Sequence, residues 1–208
     1  MDFSIFIQNI DKLKCVPLGG LPSQFKMAPA VRPIFDLYKI AEFKPKLSAV
    51  LALFYPNEQG KTYFILTKRA QYKGVHSDQI SFPGGKVKLE DSNLEATALR
   101  ETYEEISVKN VQVIRQLTTT YIPPSNFYVT PFLGYLNKTD VFMPNNEVSE
   151  ILEVDLDDFL NDSCLGVKNL STSYMQNIDV PCFKLNNHIV WGATAMMLSE
   201  IKDMFHAL

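Results

Sequence analysis

The chain has 208 residues, of which 46% are hydrophobic and 21% charged, and its formal charge is −3. This is ordinary for a globular protein large enough to bury a sizeable core. The weak negative charge argues against nucleic acid or an anionic membrane surface as partner, so a phosphorylated substrate has to be drawn by local groups or by a bound metal. The charge is uneven: residues 1–47 hold seven Lys/Arg against four Asp/Glu. That imbalance reads as a solvated surface, or as a basic rim near an acidic site. Cys15, Cys164 and Cys182 are odd in number and far apart. They form neither a metal-spaced cluster nor a disulfide framework, which suits a reducing cytoplasm. No signal peptide and no apolar run of membrane-spanning length is visible, and a soluble, cytoplasmic protein is expected.

Phe3, Phe6, Ile7, Ile10 and Leu13 recur at helical spacing and predict a short amphipathic helix. From Val16 to Pro45, prolines and glycines punctuate an irregular arm with a short helix near Phe35 to Glu42. Ser48–Phe54 and Thr62–Thr67 read as strands joined by a turn, and Ile80–Phe82 as a short strand leading into a Gly84–Gly85 turn. Leu94–Ile106 is the best-specified helix. Val111–Tyr121 and Tyr128–Leu136 read as strands around Pro123–Pro124–Ser125. Leu156–Leu160 is a helical turn, Cys182–Leu185 and His188–Trp191 a hairpin turning at Asn186–Asn187, and Ala193–Ala207 a closing helix. Without repeats or linkers, one α+β domain over 1–208 is expected, with 1–47 packed on it as helix and arm.

The helix over Leu94–Ile106 carries the chemistry. At about 100° per residue, Ala96, Leu99, Tyr103 and Ile106 form an apolar stripe, with Glu101, Glu104 and Glu105 roughly opposite. Ser92 and Glu95 have capping-box spacing, and Asp91 adds negative charge at the helix start. Glu101 and Glu105 are one turn apart, a mildly repulsive arrangement that a divalent cation converts into a binding site. Hard oxygen donors suit Mg²⁺ or Mn²⁺ rather than Zn²⁺. Glu101 and Glu105 are the first choices as ligands, with Glu104 as third ligand or general base. Arg100 is placed to pin a glutamate by a charge-assisted hydrogen bond. Gly84 and Gly85 let main chain approach a phosphate closely. The chemistry suggested is metal-assisted attack of water on a phosphoanhydride.

At these residues the chain resembles the Nudix hydrolases, with Gly85, Arg100, Glu101, Glu104, Glu105 and Val108 in the positions of that family's signature. Gly85 and Arg100 stand 15 positions apart, one more than usual, and Ser107 replaces a terminal glycine. The segments Ile65–Ala70, His76–Gly85, Tyr121–Ser125 and Trp191–Thr194 further resemble the coenzyme A pyrophosphatase branch, although Asp78 stands where that branch has glycine. The resemblance implies an α/β/α sandwich with a mixed sheet. It also implies cleavage of coenzyme A, or a derivative, to 3′,5′-ADP and 4′-phosphopantetheine. Arg69, His76, Gln79, Gly84 and Gly85 then become substrate-binding candidates, and Glu147 an alternative general base. Tyr121 and Phe127 are candidates to stack on adenine or to belong to the core, while His188 and His206 read as structural or exposed. The expected partner is a small nucleotide-like molecule, and the oligomeric state is open, a homodimer included. Two rivals stand beside this reading: hydrolysis of ADP-ribose, NADH or another nucleoside diphosphate conjugate, and a non-catalytic nucleotide-sensing module.

Overall fold

The computed structural model describes residues 1–70, 79–172 and 176–208. Its spine is the 11-residue strand β1 (Lys46–Pro56), buried from Ser48 to Tyr55. Such a continuous run is what a strand covered on both faces requires. Ala49, Leu51, Leu53 and Tyr55 face one apolar cluster, and Val50, Ala52 and Phe54 the other. The sheet is mixed and eight-stranded.

Two sets of partners flank β1. Along one edge runs β7 (Phe127–Tyr135), parallel and in register from Lys46↔Phe127 to Phe54↔Tyr135. The other edge forks. Phe54–Pro56 pair with β2 (Thr62–Arg69), whereas Ser48–Val50 pair with β4 (Gly84–Lys86). Past the fork, β2 continues with β3 (Ile80–Ser81) on one side and β8 (Val148–Asp155) on the other. Strands β5 (Gln112–Gln116) and β6 (Thr120–Ile122) each pair with β7. A separate three-stranded sheet comprises β9 (Leu165–Leu170), β10 (Ile178–Leu185) and β11 (His188–Trp191). Asn186 and Asn187 turn its hairpin with φ of 47° and 62°, the two positive values a tight primed turn needs.

Helices cover both faces of the main sheet. On one, Ala98 and Ile106 of α5 (Leu94–Ile106) meet Leu51, Leu53 and Phe132. On the other, α1 (Phe3–Gln8), α2 (Ile10–Cys15) and α7 (Gly192–His206) bury Phe6, Leu13, Met197, Ile201 and Phe205. Phe6 stacks between Phe3 and Phe54 at ring separations of 5.4 Å each. The result is an α/β/α sandwich. Among the described residues no helix is long and apolar enough to cross a membrane.

Several sequence expectations are corrected. The N-terminal helix breaks at Asn9, whose side chain caps back onto the Ile5 carbonyl at 2.9 Å. The arm gains α3 (Gly20–Phe25) before the expected α4 (Leu37–Glu42). The 111–121 strand divides into β5 and β6, and β8 and β9 were not foreseen. Gly84–Gly85 is not a free turn but the start of β4. At the head of α5 the cap is Asn93, which accepts from the Ala96 N–H at 2.8 Å, and not Ser92. The buried face of α5 is Thr97, Ala98, Thr102, Glu105 and Ile106, while Tyr103 is exposed under the Lys109 ammonium. Small Thr and Ala side chains let the helix lie close to β1, and that rotation turns Glu105 inward.

Glu200 of α7, fully buried, fastens the arm. It accepts hydrogen bonds from the Gly20 N–H, the Gln24 amide, and the N–H and hydroxyl of Thr118. Lys26 and Ser23 add contacts to Asp203, one turn further along. Residues 29–33, just beyond, are thereby laid against the sheet. Asp36 caps α4 through the Lys39 N–H at 2.8 Å, and α6 (Leu156–Leu160) forms where expected.

Candidate active site

A cleft of about 740 Å³ opens where the β1 edge forks. Ser48 and Val50 of β1, Gly84–Lys86 of β4 and Arg69 at the end of β2 form its floor and near side. The acidic wall comes from α5 and from Glu147, just before β8. The opposite side is mainly apolar, with Val31 and Pro33 of the arm on either side of Arg32, Ile122 and Pro124 of the proline loop, Trp191 at the end of β11 and Met197 of α7.

Gly84 and Gly85 are fitted to the α5 carboxylates. Gly84 has φ +153°, and a Cβ there would lie 2.4 Å from the Ala49 carbonyl oxygen, so only glycine lets β4 close on β1. Its N–H donates to Glu105 Oε2 at 3.2 Å. A Cβ on Gly85 would lie 2.4 Å from Glu101 Oε2. The carboxylate of Glu101 thus rests directly on main chain.

Arg100 organises the exposed side of this wall. It grips Asp91 with two hydrogen bonds, of 2.7 and 2.8 Å, and donates to the Lys86 carbonyl at 2.9 Å. It also reaches Glu101 at 2.7 Å and Glu104 at 3.2 Å. Asp91 in turn accepts from the Lys88 N–H and the Thr97 hydroxyl. The Arg100 guanidinium holds the Asp91 carboxyl well below the usual carboxylate range, against the opposing effect of burial. Asp91 does the same in reverse, raising Arg100 further.

The three glutamates have different surroundings. Glu105 is 4% exposed. Burial pushes its carboxyl up to about 7, the Gly84 N–H and Arg69 oppose this, and the charges of Glu101 and Glu147 add to it. Glu104 is partly exposed and sits 3.1 Å from the Lys88 ammonium, which together with Arg100 lowers its pKa. Glu101 lies between them, held by Arg100. Arg69 bridges toward Glu105 at 3.7 Å and toward exposed Glu147 at 3.4 Å.

The donor set suits a hard divalent cation. It is all oxygen, its members are one helical turn apart, and a nearly buried carboxylate with a raised pKa is a group that a cation would stabilise in its charged form. Among the described residues, no three acidic, His or Cys side chains already converge as a metal cluster. Glu104 is engaged by Lys88 and Arg100, and Glu101 by Arg100.

The other candidates are placed as follows. Gln79 lines the cleft, with its carbonyl accepting from the Arg69 N–H at 3.0 Å. His76 lies outside the described residues. Tyr121 stacks on Phe43 at 5.7 Å and meets Phe35 edge-on, so its ring is packed within the chain. Phe127 lines the cleft. His188 is paired with Glu150 at 3.1 Å. Sequence reasoning missed Lys86, which follows the glycine pair directly, and Lys88, two residues on. It also missed Arg32, for which the arm offers no local signal; Arg32 donates to the Tyr121 carbonyl and lies over Phe25.

A NUDIX domain model matches residues 45–169. An uncharacterised Nudix hydrolase NudL of Pectobacterium atrosepticum is 32% identical over 185 residues, covering 86% of this chain and 88% of its own. Its counterpart of the same description in Photorhabdus laumondii is 32% identical over 144 residues, covering 68% and 76%. Nudix hydrolase 15, mitochondrial, of Arabidopsis thaliana is 35% identical over 164 residues, covering 75% of this chain but only 57% of that protein. Among solved structures, the Nudix hydrolase RenU of M. smegmatis superposes with a TM-score of 0.55 at 15% identity, covering 79% of this chain and 88% of that one. A MutT/nudix family protein of Enterococcus faecalis gives 0.52 at 15%, covering 81% and 62%. Those two likenesses concern the fold. The chain belongs to the Nudix hydrolase family and is a pyrophosphohydrolase of nucleoside diphosphate derivatives.

Proposed function

We propose that the enzyme hydrolyses the diphosphate linkage of coenzyme A or one of its derivatives, giving 3′,5′-ADP and 4′-phosphopantetheine, with Mg²⁺ or Mn²⁺. The observation that supports this most is the two-sided cleft. Its carboxylate and glycine side suits a diphosphate, while the prolines, Val31, Ile122 and Trp191 of its other side suit the long uncharged pantetheine arm. About 740 Å³ is within the range that buries an elongated cofactor-sized ligand.

In this reading Glu101 and Glu105 would hold the cation, with Glu104 as third carboxylate. The cation would supply charge neutralisation at the diphosphate and a more acidic water. Arg100 orients Glu101 and is itself fixed by Asp91. Gly84 and Gly85 would allow the diphosphate to approach main chain, and Arg69 and Gln79 would contact the substrate; His76, the third candidate for that role, lies outside the described residues. Water adds to one phosphorus, the bridging P–O bond breaks, and the water proton passes to a carboxylate. Glu104 and Glu147 are the candidates for that last role, and Lys88 and Arg100 depress the proton affinity of Glu104.

The test is turnover with Mg²⁺ or Mn²⁺ over coenzyme A, ADP-ribose, NADH and a dinucleoside polyphosphate, with products identified by mass. Coenzyme A is expected to give 3′,5′-ADP and 4′-phosphopantetheine at the highest kcat/KM. A preference for ADP-ribose or NADH would refute the coenzyme A reading, and no turnover on any of them would favour a sensor.

A further inference from the structure

Beside the acidic wall lies a basic feature that the catalytic reading leaves unused. Lys46 of β1 stands opposite Phe127 in the parallel β1–β7 register, and Lys86 of β4 stands opposite Ser48 in the antiparallel β1–β4 register. Directly paired residues on adjacent strands share a face, as do positions two apart on one strand. Lys46, Ser48, Lys86 and Phe127 therefore project from the same face as Val50, which lines the cleft. The two ammonium groups lie 5.9 and 5.6 Å from the centre of the Phe127 ring.

Surface lysines are ordinarily solvated and inert, and others on this chain, Lys44 among them, also lack a carboxylate partner among the described residues; these two are set apart by flanking one ring that lines the cleft. Lys88, two residues on, is committed to Glu104. Lys26 pairs with Asp203, and Lys39 with Glu42. Lys46 and Lys86 have no carboxylate partner among the described residues. They place two uncompensated positive charges at the cleft rim, around a ring that lines it. Lys86 is also tied to the acidic wall, because its carbonyl accepts from Arg100. By strand rise, its Cα is about 7 Å from that of Gly84, whose N–H touches Glu105.

We infer, on the reading that the substrate is coenzyme A-like, that Lys46 and Lys86 bind a phosphomonoester on the ribose of the nucleotide half. That group stands one sugar ring away from the diphosphate. Neither ADP-ribose nor NADH carries it, so the pair would set specificity. Ammonium point charges suit a phosphate dianion. At an exposed rim they act mainly on capture of the substrate, and their effect weakens as salt rises.

The experiment compares coenzyme A with dephospho-coenzyme A for the wild type, Lys46→Met, Lys86→Met and the double variant. Each single substitution is expected to lower the ratio of kcat/KM for coenzyme A over dephospho-coenzyme A by roughly threefold to fivefold. The double variant should bring that ratio close to one, and a lysine-to-arginine pair should restore it. A wild-type ratio near one, or a double variant with the wild-type ratio, would overturn the assignment. Calorimetric binding of 3′,5′-ADP and 5′-AMP separates this from the choice of substrate. If neither coenzyme is hydrolysed, the coenzyme A reading falls by itself. The lysine site then stands if 3′,5′-ADP binds more tightly than 5′-AMP to the wild type but not to the double variant, and otherwise falls too.

Discussion

The two sides of the cleft are built in opposite ways. The acidic side is local: Gly84, Asp91, Arg100, Glu101 and Glu105 all come from one strand, one short loop and one helix, and they contact one another directly. The apolar side is assembled from far apart in the chain, from the arm at 29–33, the proline loop and the first turn of α7. The NUDIX match spans the first but stops short of the arm and of α7. A short contiguous unit can hold charged groups rigidly, as chemistry at a diphosphate requires. Walls borrowed from distant segments can change without disturbing that unit, so they can alter the fit of a substrate while leaving the carboxylates in place.

The contrast is broken most directly at Glu105. Glu105→Gln keeps a side chain able to accept from the Gly84 N–H but removes the charge a cation needs. Turnover is expected to fall by roughly two to four orders of magnitude. Thermal stability should hold, because the variant no longer buries a titrating carboxyl. Steady-state rates with Mg²⁺, together with a melting curve, check this. Near-normal rates would show that the buried carboxylate is not part of the chemistry.

The local side was also the side that the sequence displayed. The bounds of α5, the Gly84–Gly85 pair and the RETYEE spacing were readable because helical period and glycine conformations are short-range properties. What failed there was finer. The cap is Asn93 instead of Ser92 because the Asn93 side chain reaches the Ala96 N–H. The rotation of α5 was misjudged because hydrophobicity favours Tyr103, whereas close packing on β1 favours Thr97, Ala98 and Thr102. The distant side left few traces. No periodicity marks Arg32 as a cleft residue, and β8 and β9 carry too many polar residues for their strands to stand out. Glu200 reads as one more helix-surface charge until Gly20, Gln24 and Thr118 are seen around it.

Asp91 sharpens the comparison from within the local unit. Its pairing with Arg100 is indirect support for Glu101, so Asp91→Asn should lower kcat about tenfold, as loss of an outer-shell partner does. The pH dependence is more telling. Because the folded-state pKa is depressed well below the ordinary 3.8, the stabilisation from this ion pair is fully present above that value and is lost progressively as pH falls from it through the folded-state value. The wild type should therefore melt above Asp91→Asn at pH 7, with the gap closing on acidification below about pH 4. Melting curves of both proteins across that range decide it. A gap of the same size at pH 2 as at pH 7 would mean that Asp91 acts through shape and not charge.

The smallest effect on chemistry is expected at Glu200, which lies on the distant side and touches nothing in the cleft. Glu200→Ala leaves the Gly20 and Thr118 N–H groups and the Gln24 amide without their buried acceptor, at a cost of about 1–3 kcal/mol. The arm is then free to shift, and Val31, Arg32 and Pro33 with it. KM for a long substrate should rise severalfold while kcat stays near wild type, because the α5 unit is untouched. Glu200→Gln, which keeps one acceptor oxygen, should fall between the two proteins. A fall in kcat at unchanged KM would show that the arm supports the carboxylate wall, and the division between a chemical side and a selective side would have to be abandoned.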